Sequence, residues 1–89
     1  MDNRITQIAL HYGWEHQKKK ALEEMGELIC ALARDDMENT IEELADVLNM
    51  IEQLIVMVGP EKVALWKNFK LERQMEKIRD EEKTQSELC

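Results

Sequence analysis

The chain has 89 residues, 35% of them charged and only 4% aromatic, with a formal net charge of −7. A chain of this length makes one small domain that buries a modest share of its surface, so self-association is expected. The acidic balance argues against binding a nucleic-acid polymer or an anionic membrane, and no apolar run approaches the ~20 residues that a bilayer span needs.

One proline, three glycines and abundant Leu, Ile, Met, Ala, Glu and Lys favour helices throughout, and no segment reads as a strand. The opening Met1-Asp2-Asn3-Arg4 lacks the apolar core of a signal peptide. Cys30 falls inside a predicted helix and Cys89 ends the chain. One buried structural thiol and one tail thiol are expected, in a reduced, cytoplasmic protein.

Residues 3–12 carry Ile5, Ile8, Ala9 and Tyr12 at the spacing of a short amphipathic helix, with Asn3 as its N-cap. Gly13 interrupts it. From Trp14 to about Arg34 a second helix carries the apolar stripe Leu22, Met25, Ile29 and Leu32. Gln17, Lys20, Glu24, Glu27 and Ala31 form the neighbouring stripe, at the border of the expected buried face. Residues 34–39 read as a short connection, with Asn39 or Thr40 capping the next helix and Glu42 or Glu43 completing a capping box. So short a connection makes the two helices antiparallel neighbours.

Ile41 to Val58 is the most apolar helix, with Leu44, Val47, Leu48, Ile51, Leu54, Ile55 and Val58 over one broad arc. An arc that wide is hard to bury within one small protomer and points to a second subunit. Glu43, Asp46, Met50, Gln53 and Met57 mark one edge of it. Gly59-Pro60 ends this helix and starts the last, which runs to about Glu81. Lys70, Arg73 and Lys77 share one of its faces, and the polar residues 80–89 read as a frayed tail. The expected fold is all-α: a single domain over residues 1–89, built as a four-helix antiparallel bundle-like protomer.

Glu24 and Glu27 sit one turn apart, as do Glu43 and Asp46. In an antiparallel hairpin turning near Asp35, residue pairs whose numbers have the same sum lie opposite each other. Glu24 then faces Asp46, and Glu27 faces Glu43. Four converging carboxylates repel one another unless a cation sits among them. All-oxygen ligands suit Mg²⁺ or Mn²⁺, and no His stands at the offset a di-iron bundle uses. Mg²⁺ held by a few carboxylates readily accepts phosphate oxygens, which points to hydrolysis of a phosphate ester or anhydride. No Gly-rich phosphate loop is present, and the sole serine is Ser86.

Glu23-Glu24-Met25-Gly26-Glu27-Leu28, followed by Glu42-Glu43-Leu44-Ala45-Asp46-Val47-Leu48, resembles the EExxE…ExxD signature of the MazG-like all-α nucleotide pyrophosphohydrolases. The segments His11–Gln17 and Phe69–Gln74 resemble small phage and bacterial members. The resemblance implies a helical protein assembling as a dimer or dimer of dimers. It implies Mg²⁺-dependent cleavage of a nucleoside triphosphate to the monophosphate and pyrophosphate. By motif position Glu24, Glu27, Glu43 and Asp46 would hold the metal, while Glu23, with Glu27, would serve the catalytic step. Gln17, Lys20, Asn49, Lys70 and Arg73 would approach the substrate, and Tyr12 and Trp14 are the candidates for stacking on a base. The competing classes are a nucleotide- or metal-binding protein without turnover and a silent oligomeric scaffold.

Overall fold

The computed structural model describes residues 2–88. It contains four α-helices and, among the described residues, no strand. They are α1 (Asn3–Tyr12), α2 (Trp14–Ala33), α3 (Met37–Val58) and α4 (Pro60–Leu88). The chain forms two compact units, Met1–Gly59 and Pro60–Cys89. The first holds α1, α2 and α3 packed on one another; the second is α4 alone.

The caps are one or more residues earlier than the sequence pattern suggests. Asp2, not Asn3, caps α1, its carboxylate accepting from the Arg4 backbone N–H at 2.9 Å. It also receives the Arg4 guanidinium, which holds the Asp2 carboxyl down at about 2. Gly13 then takes φ 82°, a left-handed value that side chains disfavour, while its N–H closes α1 on the Ala9 carbonyl at 2.9 Å.

The turn between α2 and α3 is tighter than expected. Asp35 adopts φ 54°, a conformation that Asp tolerates better than most residues. Its N–H bonds the Leu32 carbonyl at 3.2 Å, and the Asp36 N–H bonds the Ala31 carbonyl at 3.3 Å. This paired pattern terminates α2 and satisfies two of its free carbonyls. Asp36 immediately caps α3, its side chain accepting from the Asn39 N–H at 3.2 Å, and Thr40 Oγ1 donates back to the Asp36 carbonyl at 2.7 Å. Neither Asn39 nor Thr40 is the cap; a helix that begins at Met37 already contains both. The polar segment after Arg79 continues α4 as helix to Leu88.

The buried apolar residues are few and mostly small: Ile5 and Ala9 of α1, Ala21 and Ala31 of α2, Val47 and Met50 of α3. The remaining buried positions are polar, namely Gln17, Glu24, Thr40 and Gln53. The stripe expected at the border of the core is therefore the face along which α2 meets α3. The Leu22–Leu32 stripe expected to be core points outward, with Leu22 64% and Ile29 66% exposed. Alanines let the two helix backbones approach, and bulkier Leu and Ile at those positions would hold them apart. Cys30 follows the same logic: it is exposed, not a buried structural thiol. Cys89 lies outside the described residues.

Candidate metal centre

Antiparallel packing of α2 on α3 sets two acidic turns against each other. One carboxylate oxygen from each of Glu24, Glu27 and Glu43 lies within 4.8 Å of the others. Glu24 is buried, Glu43 half-buried and Glu27 exposed, so the cluster is seated between the helices and opens at one end. The open end is a groove lined by Glu23, Glu27 and Cys30 of α2, by Arg34, and by Asn39 and Glu43 of α3.

The electrostatics of this cluster are unbalanced. Lys20 Nζ reaches Glu24 Oε1 at 3.2 Å, and this contact raises the Lys20 pKa above its ordinary value. The other oxygen, Glu24 Oε2, is buried with no hydrogen-bond partner, and so is Glu43 Oε2. Buried carboxylate oxygens are nearly always partnered, and leaving one bare costs free energy. Glu27 shows the consequence: the negative charge of Glu24, then that of Glu43, raises its pKa above the usual carboxylate range. One ammonium opposes three carboxylates, and two bare oxygens remain. A hard divalent cation would supply what is missing: positive charge and a centre that takes oxygen ligands from several directions. The donor set fits Mg²⁺ or Mn²⁺ and offers no nitrogen or sulfur ligand that zinc would select.

The other predicted site residues are placed as follows. Asp46 is exposed, one turn beyond Glu43 on α3, and does not join the three-carboxylate cluster. Glu23 is exposed on α2 and lies 3.9 Å from Lys20 Nζ, at the rim of the groove. Gln17 is buried, and its amide is committed internally. Its Nε2 donates to Gln53 Oε1 at 2.6 Å, and its Oε1 lies 2.6 Å from His16 Nδ1. Asn49 is exposed and lines a separate groove with Arg4, Ile5, Ile8 and Gln53. Lys70 and Arg73 are exposed on α4, where the Arg73 guanidinium lies 5.9 Å from the Phe69 ring centre. Tyr12 stacks on His16, their ring centres 4.6 Å apart, and Trp14 is 41% exposed.

Gln53 is the residue that sequence reasoning passed over. It was visible only as one of several residues at the edge of the α3 arc. The pairing rule that sets Glu27 opposite Glu43 also sets Gln17 opposite Gln53, so the buried amide pair was legible by the same register argument. Cys30 and Asn39 line the groove because each stands one helical turn from Glu27 or Glu43, and Arg34 follows one turn after Cys30.

Residues 14–84 match the family model described as the MazG nucleotide pyrophosphohydrolase domain, which covers α2, α3 and most of α4. The curated proteins gave no significant match, and neither did the solved structures. Among the described residues no helix is long and apolar enough to cross a membrane.

Proposed function

The chain belongs to the MazG nucleotide pyrophosphohydrolase domain family, and on that premise we propose that it is a Mg²⁺-dependent hydrolase. It would cleave a ribo- or deoxyribonucleoside triphosphate to the monophosphate and pyrophosphate. The observation that carries the reading is the cluster of Glu24, Glu27 and Glu43, with two of its buried oxygens bare. Mn²⁺ would serve in place of Mg²⁺, since both are hard, oxygen-seeking ions.

In this proposal Glu24 and Glu43 would hold the ion from opposite helices, and Lys20 keeps Glu24 in place through its other oxygen, Oε1. Glu27, exposed at the open end, would be the carboxylate nearest the entering phosphates, while Asp46, exposed one turn beyond Glu43 and outside the three-carboxylate cluster, would reach the ion only through a bound water. When bound, the ion neutralises phosphate charge and acidifies water. Glu23, at the rim, accepts a proton from the attacking water directly or through Glu27, a role suited to an exposed carboxylate. Gln17 fixes the hairpin beneath the site, while Asn49, Lys70 and Arg73 are assigned to the substrate. The protein works in the cytoplasm as a homodimer or homotetramer.

The test is pyrophosphate release from a panel of ribo- and deoxyribonucleoside triphosphates with Mg²⁺. At least one member is expected to be hydrolysed, and Glu27→Gln should lower that rate by about 100-fold or more. No release from any member by the folded wild type would overturn the hydrolase reading. Nucleotide binding would then favour the alternative of a sensor without turnover.

A further inference from the structure

His16, Gln17 and Gln53 form a hydrogen-bond relay that runs one way. His16 Nδ1 lies 2.6 Å from Gln17 Oε1, and Gln17 Nε2 donates to Gln53 Oε1 at 2.6 Å. Gln53 Nε2 is left with only the Met50 sulfur, a weak acceptor, at 3.9 Å. Reversed, the relay would set the Gln53 carbonyl against that sulfur, acceptor against acceptor. His16 therefore holds its proton on Nδ1 and donates it to the Gln17 carbonyl, its ring steadied by the stack on Tyr12. Gln53 is buried, its carbonyl is occupied, and N–H is what its side chain has left to offer.

Gln53 lines a groove of about 260 Å³ with Asn49, Ile5, Ile8, Arg4 and Asp2, a space of the size of a nucleobase. Ile5 and Ile8 give it an apolar wall. Its other fixed polar groups are also donors. Each Asp2 oxygen already accepts two hydrogen bonds from Arg4, whereas Arg4 Nη1 makes none among the described residues. The groove opens on the same side of the hairpin as the carboxylate cluster. Counted at 3.6 residues per turn, Glu27 on α2 and Asn49 on α3 are rotated in the same sense from the α2–α3 contact. In antiparallel helices, rotations of one sense lead to one side. Along α3, Asn49 stands about 9 Å from Glu43 at 1.5 Å per residue, a distance that a sugar and one phosphate bridge.

We propose that this groove receives the base of the nucleotide and selects the oxo bases, uracil, thymine and guanine, over the amino bases cytosine and adenine. The proposal rests on the nucleotide-hydrolase reading above and names the class of base that the reading leaves open. The base carbonyl that replaces an amine accepts from Gln53 Nε2, with Arg4 Nη1 as a second donor. Asn49, exposed and able to present either end of its amide, pairs with the ring nitrogen beside that carbonyl. An amine in the same place meets donor against donor. The Gln53 amide cannot turn to accept it, because Gln17 holds its carbonyl. Gln17 and His16 touch no substrate; they are positioning residues that decide which end of Gln53 the groove presents.

Calorimetric titration of UMP, GMP, CMP and AMP into the full chain with Mg²⁺ tests this. UMP and GMP should bind about tenfold or more tighter than CMP and AMP, because a mispaired amine leaves buried donors unsatisfied. Ile8→Trp, which fills the groove from a partly exposed position, should weaken UMP about tenfold or more and leave Mg²⁺ affinity unchanged. Gln17→Leu frees the Gln53 amide to turn, so the ratio of UMP to CMP affinity should fall toward one, a change that a loss of stability alone would not produce. Equal affinity for the four, or tighter CMP and AMP, overturns the selectivity. Wild-type UMP affinity in Ile8→Trp overturns the location. A wild type that binds none of the four overturns the groove, while pyrophosphate release, measured separately, still decides the reaction. Should Gln17→Leu fail to fold, the wild-type ratio and Ile8→Trp decide.

Discussion

The two faces of the α2–α3 hairpin invert the usual arrangement. Between the helices lie Gln17, Gln53, Glu24 and Thr40, packed with small alanines. On the outside lie Leu22, Ile29, Leu44 and Leu48, at least half exposed. Hydrophobicity alone would have assigned these faces the other way round. The polar interior makes sense as the seat of a site whose charges need placing. This small chain thus spends little of its apolar surface on its own core.

Breaking the polar interior should have the largest effect on the isolated fold. Gln17→Leu leaves the buried Gln53 amide without its 2.6 Å partner, and an unsatisfied buried group costs about 1–3 kcal/mol. Replacing both, Gln17→Leu with Gln53→Leu, should recover most of that loss, because an apolar pair of similar shape leaves nothing unsatisfied. Urea unfolding of the two singles and the double checks this. A loss in the double equal to the sum of the two singles would mean that the pair is not coupled.

The polar interior should also respond to pH in a way that the apolar outer face does not. Glu27 has its folded pKa raised, first by Glu24 and then by Glu43. The folded state therefore holds that proton longer than the unfolded chain, whose ordinary value is 4.5. Stability without metal should fall as pH rises from 4.5 through the folded value. Mg²⁺ should reverse the trend, because it favours the ionised cluster. Melting temperatures between pH 4 and 7, with and without Mg²⁺, measure it (about three pH units suffice to bracket one such titration). A metal-free curve that climbs through this range would contradict the cluster's repulsion.

How much of this was legible in the sequence differs from feature to feature. The four helices, the antiparallel hairpin and the opposition of Glu27 to Glu43 follow from period and turn chemistry, which are local. Which stripe of α2 faces α3 does not, because helical period reports that two stripes exist and not which one a neighbour covers. Asp36 was hidden for a related reason. Asp35, Asp36, Asn39 and Thr40 can all serve in caps, and only the left-handed conformation of Asp35 selects Asp36. Asp46 shares the sequence spacing of the other acids, yet the register brings Glu24, Glu27 and Glu43 together without it.

Smaller effects should come from the turn that fixes that register. Asp36→Ala removes the cap of α3 and should cost about 1 kcal/mol in urea unfolding. Its effect on Mg²⁺ affinity should exceed that of Asp2→Ala, which removes the cap of α1 and contributes no residue to the cluster. The Asp2 carboxyl has its pKa lowered to about 2 by Arg4, so its small contribution is present above the ordinary 3.8 and fades as pH falls toward 2. Amide exchange at the start of α1 should register Asp2→Ala at neutral pH. Unchanged exchange there would show that the Arg4 pair holds nothing in place.

The most direct test of the central claim is calorimetric titration of Mg²⁺, with Mn²⁺ in parallel, into the wild type and into Glu43→Gln at neutral pH. The three carboxylates of Glu24, Glu27 and Glu43 predict saturable binding to the wild type and a loss of at least about tenfold in affinity on removing one ligand charge. Binding that is absent in the wild type, or equal in the two proteins, would contradict a metal centre between α2 and α3.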